Sequence, residues 1–185
     1  MGIPPESEAL GLKTNIALIG FMGTGKTTVG RTLARMLHKE FVDTDEEIEK
    51  TTGLKIEEIF TRCGEIRFRS EESLAIKKAA GKQNCVIATG GGAVLRPENL
   101  ENLKASSYII CLQTSPEVIQ TRVSRRIRPL LQKDRSVQHI QALLQERQSY
   151  YQGADLYVNT SESNHEEVAS EILAWLKDKA VSVNK

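Results

Sequence analysis

A glycine-rich phosphate-binding motif occupies residues 20–27, which read GFMGTGKT and fill every position of the pattern Gly-x-x-x-x-Gly-Lys-Thr. An apolar run at 16–19 precedes the motif, and an amphipathic helical pattern follows it. In that setting the N–H groups of the turn surround a phosphate, Lys26 reaches the β- and γ-phosphates, and the hydroxyl of Thr27 binds Mg²⁺. Glycine-rich turns also join strands to helices without a ligand, but the complete signature favours a nucleotide site.

Two carboxylates, Asp43 and Asp45, stand at the end of a second short apolar run. One of them can support Mg²⁺ through its water shell, while the other faces the hydroxyl group that accepts a phosphoryl group. The alternative is structural, because Asp is a common cap for a helix such as the one expected to begin near Glu46. The neighbouring phosphate loop favours the chemical interpretation.

Three consecutive glycines, at 90–92, follow Thr89 and a third apolar run. Glycine costs backbone entropy, so a simple turn rarely needs three in a row. The absence of side chains lets a small rigid substrate lie against the backbone and its N–H donors. A flexible connection is the alternative, and the position at the end of a strand argues against it.

Several arginines are candidates for binding anionic groups. Arg67 fits an exposed helical position better, with acidic partners one turn away, whereas Arg69 fits either an exposed or a binding role. The segment 122–135 is dense in arginine and broken by a proline, which is typical of a mobile loop that brings positive charge to a phosphoryl group. A solvated face or a nucleic-acid patch is the alternative for that segment. Arg147 is either another anion-binding residue or a surface residue of the next helix.

The elements that position these residues follow from the alternation of short apolar runs with longer helical patterns. Unalternating apolar runs suit strands buried on both faces of a parallel sheet. The pattern therefore predicts an α/β fold, a three-layer α/β/α sandwich with a five-stranded parallel sheet. Strands are expected at 15–19, 41–43, 84–88, 107–112 and 155–159, and helices at 26–38, 45–53, 55–62, 65–80, 97–105, 115–126, 136–150 and 165–179.

Composition and length limit the partners and the location. The 185 residues carry a formal net charge of +1, which gives no argument for nucleic acid or an anionic membrane as a partner. The three cysteines are far apart, which disfavours zinc and disulfides and suits a reducing cytoplasm. We see no secretory signal or bilayer-spanning run. We expect one domain at 14–179, a flexible leader at 1–13 and a flexible tail at 180–185.

The order of these motifs over residues 15–176 resembles the shikimate kinases, a family of small P-loop kinases related to the nucleoside monophosphate kinases. Many proteins share the phosphate loop, but its combination with FVDTD at 41–45, GGG at 90–92 and RPLL at 128–131 is more specific. The resemblance implies transfer of phosphate from ATP, with Mg²⁺, to the 3-hydroxyl of shikimate in aromatic amino acid biosynthesis. It also implies a monomer with a mobile lid at about 122–135.

The resemblance also implies roles for single residues at the reaction centre. Lys26, Asp45 and Arg128 are the implied catalytic residues, and Asp45 holds the acceptor hydroxyl first and acts as a base second. Thr27 is the implied ligand of Mg²⁺, and Asp43 supports the metal through water.

Around that centre the resemblance implies two sets of binding residues. Arg122 is implied to cover the adenine, with Arg125 or Arg126 as alternatives, and the backbone at 159–163 to line the adenine edge. The implied nucleotide-binding residues are Gly23, Thr24, Gly25, Lys26, Thr27, Thr28, Arg122 and Arg128, and the implied shikimate-binding residues are Asp45, Arg69, Gly91, Gly92 and Arg147.

Two other functions fit part of the pattern. A kinase of the same fold acting on gluconate or another hydroxy acid would share the phosphate loop, but we do not expect it to combine FVDTD, TGGG and RPLL. A non-catalytic relative would keep the fold, yet the chain retains every implied catalytic residue. A GTPase is disfavoured because the sequence has no Asn-Lys-x-Asp motif for reading the base.

Overall fold

A five-stranded parallel sheet forms the centre of the fold within residues 13–123 and 134–183, the part of the chain that the computed structural model describes. Its strands are β1 (Asn15–Ile19), β2 (Glu40–Asp43), β3 (Cys85–Ala88), β4 (Ser107–Gln113) and β5 (Leu156–Asn159). Their order across the sheet is β2-β3-β1-β4-β5. The predicted α/β class and parallel sheet are confirmed, and each strand end lies within one residue of its expected position.

Helices connect and flank these strands. They are α1 (Lys26–Leu37), α2 (Thr44–Thr52), α3 (Ile56–Ala80), α4 (Pro97–Ser106), α5 (Pro116–Val123), α6 (Val137–Arg147) and α7 (His165–Val183). The helices expected at 55–62 and 65–80 form one element, α3, which non-helical torsions at Gly64 (φ 81°, ψ 169°) interrupt. The helix expected at 136–150 ends as α6 at Arg147 and is followed by a 3₁₀ turn. None of the helices that the structure describes combines the length and the apolar character needed to cross a bilayer.

The C-terminal helix is longer than the sequence predicted. Because α7 extends to Val183, residues 180–183 are helical. This stretch contains no glycine or proline that would stop a helix. The centre of the predicted lid, 124–133, lies outside the described residues, as do 1–12 and 184–185.

The two faces of the sheet pack into separate halves of the core. Ile16 and Leu18 of β1 pack with apolar residues of α1 and α7. Ala17 and Ile19, which point the other way, pack with residues of α3, α4, α5 and α6. This alternation within a wholly apolar strand explains why the sheet needs helices on both faces and forms three layers.

The three polar motifs follow adjacent strands. The phosphate loop follows β1, Asp43 ends β2 with Asp45 two residues later in α2, and the triple glycine follows β3, which lies between β1 and β2. The register aligns Leu18 with Ala88 and Ala88 with Asp43, so these strands end at the same level. The fold therefore collects the motifs at the carboxyl edge of the sheet, where parallel α/β sheets bind their ligands.

Candidate active site

The phosphate loop between β1 and α1 is closed by bonds from its own side chains. Nζ of Lys26 donates to the carbonyl oxygens of Gly20 and Phe21 at 2.7 and 2.8 Å, and the hydroxyl of Thr24 donates to the same Phe21 oxygen at 2.8 Å. Gly25, immediately before α1, has a left-handed backbone with φ 95° that glycine adopts readily. These features hold the loop at the N-terminus of α1, where anions bind favourably.

A pair of oxygen-bearing side chains lies beside the loop. The hydroxyl of Thr27 donates to Oδ2 of Asp43 at 2.8 Å. The other oxygen of Asp43 accepts the N–H groups of Asp45 at 3.0 Å and Glu46 at 3.4 Å and thereby caps α2. The capping interpretation is therefore correct for Asp43, and it leaves Oδ2 beside the Thr27 hydroxyl.

This oxygen pair fits the Mg²⁺ that a P-loop kinase uses. Magnesium binds through one or two protein oxygens and completes its coordination with phosphate and water. Within residues 13–123 and 134–183, no cluster of three or more His, Cys, Asp or Glu side chains could hold a metal by itself. The donor set therefore suits a metal that arrives with a nucleotide.

A cavity of about 480 Å³ extends from the phosphate loop to the start of α7. Seven of the predicted nucleotide-binding residues line it, namely Gly23, Thr24, Gly25, Lys26, Thr27, Thr28 and Arg122. The guanidinium of Arg122 donates to the carbonyl oxygens of Gly23 at 3.2 Å and Thr160 at 2.8 Å. Arg128 and both alternatives to Arg122 lie outside the described residues.

The two arginines of α3 have different surroundings. Arg67 is exposed and forms an ion pair with the more buried Glu71, so its predicted surface position is confirmed. Arg69 is buried, and its Nη1 donates to Oε2 of Glu72 at 2.8 Å. Nε and Nη2 of Arg69 donate to Oε1 of Glu65 at 3.2 and 3.1 Å. Arg69 is therefore a buried cation that two carboxylates hold in place.

The triple glycine is explained by close packing, since a Cβ atom on Gly91 would lie 2.8 Å from the backbone nitrogen of Met22. A Cβ atom on Gly92 would lie 2.5 Å from Nη1 of Arg69. On Gly90 it would lie 2.8 Å from Oδ1 of Asp45 and 2.9 Å from Oε1 of Glu72. These distances leave no room for side chains and favour close approach over a flexible connection as the reason for the glycines.

Arg147, the last residue of α6, is buried with only 6% of its surface exposed. Its guanidinium carbon lies 5.7 Å from the centre of the Phe21 ring. Among the described residues, its Nε and Nη1 have no hydrogen-bond partner. The surface interpretation is therefore wrong, and a buried cation with unsatisfied N–H groups is a candidate for binding an anion.

Two further residues, Tyr151 and Glu72, lie beside the glycine turn and the buried arginines. The sequence did not predict either of them as a site residue. Tyr151 donates to the carbonyl oxygen of Gly91 at 2.7 Å and also bonds to Arg147. Glu72 is fully buried beside Arg69. The spacing of three residues between Arg69 and Glu72 could have indicated a helical pair, but nothing in the sequence indicates that the pair is buried.

The charges of the buried pair are set by opposing effects. Burial raises the pKa of Glu72, and the attraction of Arg69 opposes that rise. Burial likewise disfavours the charged form of Arg69, but Glu72 and Glu65 hold its pKa above the ordinary value. Burial therefore opposes the charged form of each side chain, and the charge of its partner offsets that effect.

The glycine turn brings the predicted acceptor residues together. Gly92 packs on Arg69, Gly90 packs on Asp45, and Gly91 is bonded to the tyrosine that contacts Arg147. Asp45 and Gly91 also line the nucleotide cavity. The predicted acceptor cluster therefore opens onto the predicted nucleotide cavity beside the phosphate loop.

The family model and the relatives that match this sequence share one description. Residues 22–177 match the family model described as "Shikimate kinase". The shikimate kinase of Pelotomaculum thermopropionicum is 51% identical over 165 residues, which is 89% of this chain and 96% of that protein. The shikimate kinase of Thermodesulfovibrio yellowstonii is 49% identical over 160 residues, which is 86% of this chain and 92% of that protein.

Solved structures agree with the sequences. Shikimate kinase from Acinetobacter baumannii in complex with shikimate superimposes with a TM-score of 0.86 at 38% identity, covering 94% of this chain and 98% of that chain. Shikimate kinase from Aquifex aeolicus superimposes with a TM-score of 0.77 at 38% identity, covering 90% of this chain and 98% of that chain. With the family model spanning most of its length and relatives near half identity, the chain belongs to the shikimate kinase family.

Proposed function

We propose that this protein transfers the γ-phosphoryl group of ATP to the 3-hydroxyl of shikimate, giving shikimate 3-phosphate and ADP. The observation that carries the proposal is the buried guanidinium of Arg147, whose Nε and Nη1 lack a partner in the described part of the chain. It adjoins the glycine turn, which also packs on Arg69. A small acceptor with a carboxylate satisfies these donors, and its ring then lies along the glycine backbone.

On the donor side, Lys26 and the N–H groups of the loop bind the phosphates. Thr27, and Asp43 through water, would hold Mg²⁺, which neutralises phosphate charge when it is bound. Arg122 contacts the base end of the nucleotide from α5. Arg128, in the proposed lid at about 122–135, stays a predicted contact to the phosphates because it lies outside the described residues.

On the acceptor side, Asp45 holds the hydroxyl that is phosphorylated. It lies where the acceptor cluster and the nucleotide cavity meet, since it lines the cavity and packs beside Gly90. The transition state of phosphoryl transfer is loose, so placing the hydroxyl in line with the γ-phosphate matters more than removing its proton. Asp45 therefore acts first as a positioning group and second as a base.

We also propose that residues 14–179 work as a single unit in a cytoplasmic monomer. Light scattering at assay concentration should give the mass of one chain, and a stable dimer would contradict the proposal.

The decisive test is to incubate the protein with MgATP and shikimate and to detect the product by mass spectrometry. We expect one added phosphoryl group on shikimate and an equal amount of ADP. Asp45→Asn should abolish turnover while ADP still binds. Phosphorylation of gluconate in place of shikimate would identify a different hydroxy-acid kinase, and ADP binding without any turnover would identify a non-catalytic relative.

A further inference from the structure

The glycine turn at 90–92 has no side chains of its own, so its shape depends on bonds from other elements. The hydroxyl oxygen of Thr44 accepts the first N–H group of the turn at 3.2 Å. The side chain of Asn99 donates to the carbonyl oxygen that follows the turn at 2.9 Å. Between these two bonds, the hydroxyl of Tyr151 donates to the carbonyl oxygen of Gly91 at 2.7 Å. The turn is therefore held at both ends and in the middle, and Tyr151 holds the middle.

Tyr151 differs from Thr44 and Asn99 because it also bonds to Arg147. Arg147 ends α6, and Tyr151 lies in the 3₁₀ turn that follows directly. Since a guanidinium only donates hydrogen bonds, the hydroxyl oxygen of Tyr151 accepts this bond while its proton is donated to Gly91. One phenol thus joins the cation that is proposed to bind the carboxylate to the backbone along which the acceptor ring is proposed to lie.

The phenol of Tyr151 is itself held in the interior. The residue is buried and belongs to the same core cluster as Phe21, whose ring contacts Arg147. The hydroxyl of Tyr157 in β5 donates to the carbonyl oxygen of Tyr151 at 3.3 Å. Burial raises the pKa of Tyr151, and the guanidinium of Arg147 opposes that rise. The phenol therefore keeps its proton at neutral pH and remains a donor to the glycine turn.

We propose that Tyr151 is a positioning residue for the acceptor, whose hydroxyl holds the guanidinium of Arg147 in register with the backbone at Gly91. The inference rests on the proposed function, because it takes the acceptor to be a small ring with a carboxylate. The carboxylate and the ring contact different elements, and the distance between these two binding surfaces decides whether both are bound together. A hydrogen bond between the elements fixes that distance before the acceptor arrives, so less ordering is needed on binding.

The test removes the hydroxyl and keeps the ring. Calorimetry measures the Kd of shikimate and of ADP for the full chain and for Tyr151→Phe. Tyr150→Phe is the matched control, because Tyr150 lies in the same 3₁₀ turn and is exposed. We expect Tyr151→Phe to weaken shikimate binding about fivefold to tenfold, since the guanidinium of Arg147 is no longer held to the turn, and to leave the Kd of ADP unchanged. Tyr150→Phe should match wild type for both ligands.

A double-mutant cycle separates positioning from a general contribution to stability. Tyr151→Phe alone should raise the KM for shikimate and leave kcat within about twofold, because the carboxylate lies away from the transferred group. In Arg147→Met the same change should alter this KM less than about twofold, since the cation is absent and the turn keeps its bonds to Thr44 and Asn99. Equal effects in both backgrounds would overturn the proposal, as would a lowered melting temperature with wild-type shikimate affinity, or a matching loss in Tyr150→Phe.

Binding of shikimate is measured without turnover, so this outcome is separable from the proposed function. Shikimate that binds with the help of Tyr151 but is not phosphorylated would retain this inference and overturn the proposed function. Turnover of shikimate with unchanged shikimate affinity in Tyr151→Phe would do the reverse. A wild-type protein that binds no shikimate would overturn both.

Discussion

Two buried arginines of the proposed acceptor site differ in how their charge is balanced. Arg69 is paired with Glu72, which is fully buried, and with the more exposed Glu65. Arg147 has N–H groups without a partner among the described residues and contacts the ring face of Phe21. The same substitution at the two positions should therefore have opposite consequences for the folded state.

At Arg147 we expect a gain or no change in stability together with a loss of substrate binding. Arg147→Met removes a buried charge that lacks full compensation and keeps an unbranched side chain. The melting temperature should stay equal or rise, while the KM for shikimate rises at least about tenfold and ADP affinity stays unchanged. An unchanged KM for shikimate in steady-state kinetics would show that Arg147 does not bind the acceptor.

At Arg69 the same replacement should cost stability as well as binding. Arg69→Met leaves Glu72 buried without its partner, which should lower the free energy of unfolding by roughly 3 kcal/mol. Burial already raises the pKa of Glu72, and removing Arg69 raises it further. The folded state then holds a proton more tightly than the unfolded state, so stability is retained at low pH and lost as pH rises.

Urea unfolding of Arg69→Met and wild type at about pH 5 and pH 8 measures this difference. The decrease in the free energy of unfolding caused by Arg69→Met should be larger at about pH 8 than at about pH 5. A loss independent of pH would show that Glu72 is not the group left uncompensated.

At the scale of single elements, the interruption of α3 places Arg69 against the glycine turn. Gly64 has φ 81° and ψ 169°, a conformation open almost only to glycine, and a Cβ there would meet no atom within 4 Å. The cost of replacing it is therefore torsional and not steric. The helical segment after Gly64 carries Arg69 and Glu72, so the angle at the interruption sets their position.

Gly64→Ala should destabilise the protein by about 1–3 kcal/mol or straighten α3. Either response moves Arg69 relative to Gly92, so the KM for shikimate should rise while the Kd of ADP is unchanged. Gly53→Ala is the matched control, since Gly53 also has a positive φ of 70° and open space but ends α2 away from the lining of the nucleotide cavity. Equal effects of both substitutions on the KM for shikimate would contradict this role for Gly64.

The sequence predicted elements and motif residues better than contacts between elements. The strands and the two parts of α3 followed from apolar periodicity, because that signal is local. The burial of Arg147 and the place of Tyr151 were not predictable, since they depend on how α6 packs over Phe21 and Gly91. The same holds for Glu72, whose sequence neighbours suggested an exposed helix face.

At the scale of the whole molecule, the sheet can be probed through its cysteines. Burial raises the pKa of Cys85 and of Cys111 to about 11, and both lie in central strands, whereas Cys63 is exposed. Because the thiolate is the reactive form, the native protein at about pH 8 should label rapidly only at Cys63. Cys63→Ser should remove the fast phase, and rapid labelling of three thiols would contradict a closed sheet.

The same two thiols make stability depend on pH in the alkaline range. Their pKa values in the folded state lie near 11, above the ordinary 9.0. The unfolded chain therefore ionises first, and stability that is complete below about pH 9 is lost as pH rises through 11. Urea unfolding across this range should show that the free energy of unfolding declines less for Cys85→Ala than for wild type.

The closed phosphate loop has a consequence for selectivity among anions. Since Lys26 already donates to two carbonyl oxygens, an incoming anion must replace bonds of good geometry before it gains any. A single phosphate or sulfate ion recovers few contacts in exchange, whereas a nucleotide adds those of its whole phosphate chain and its base. The free protein should therefore bind inorganic phosphate weakly. Inorganic phosphate would then compete little with the nucleotide for the loop.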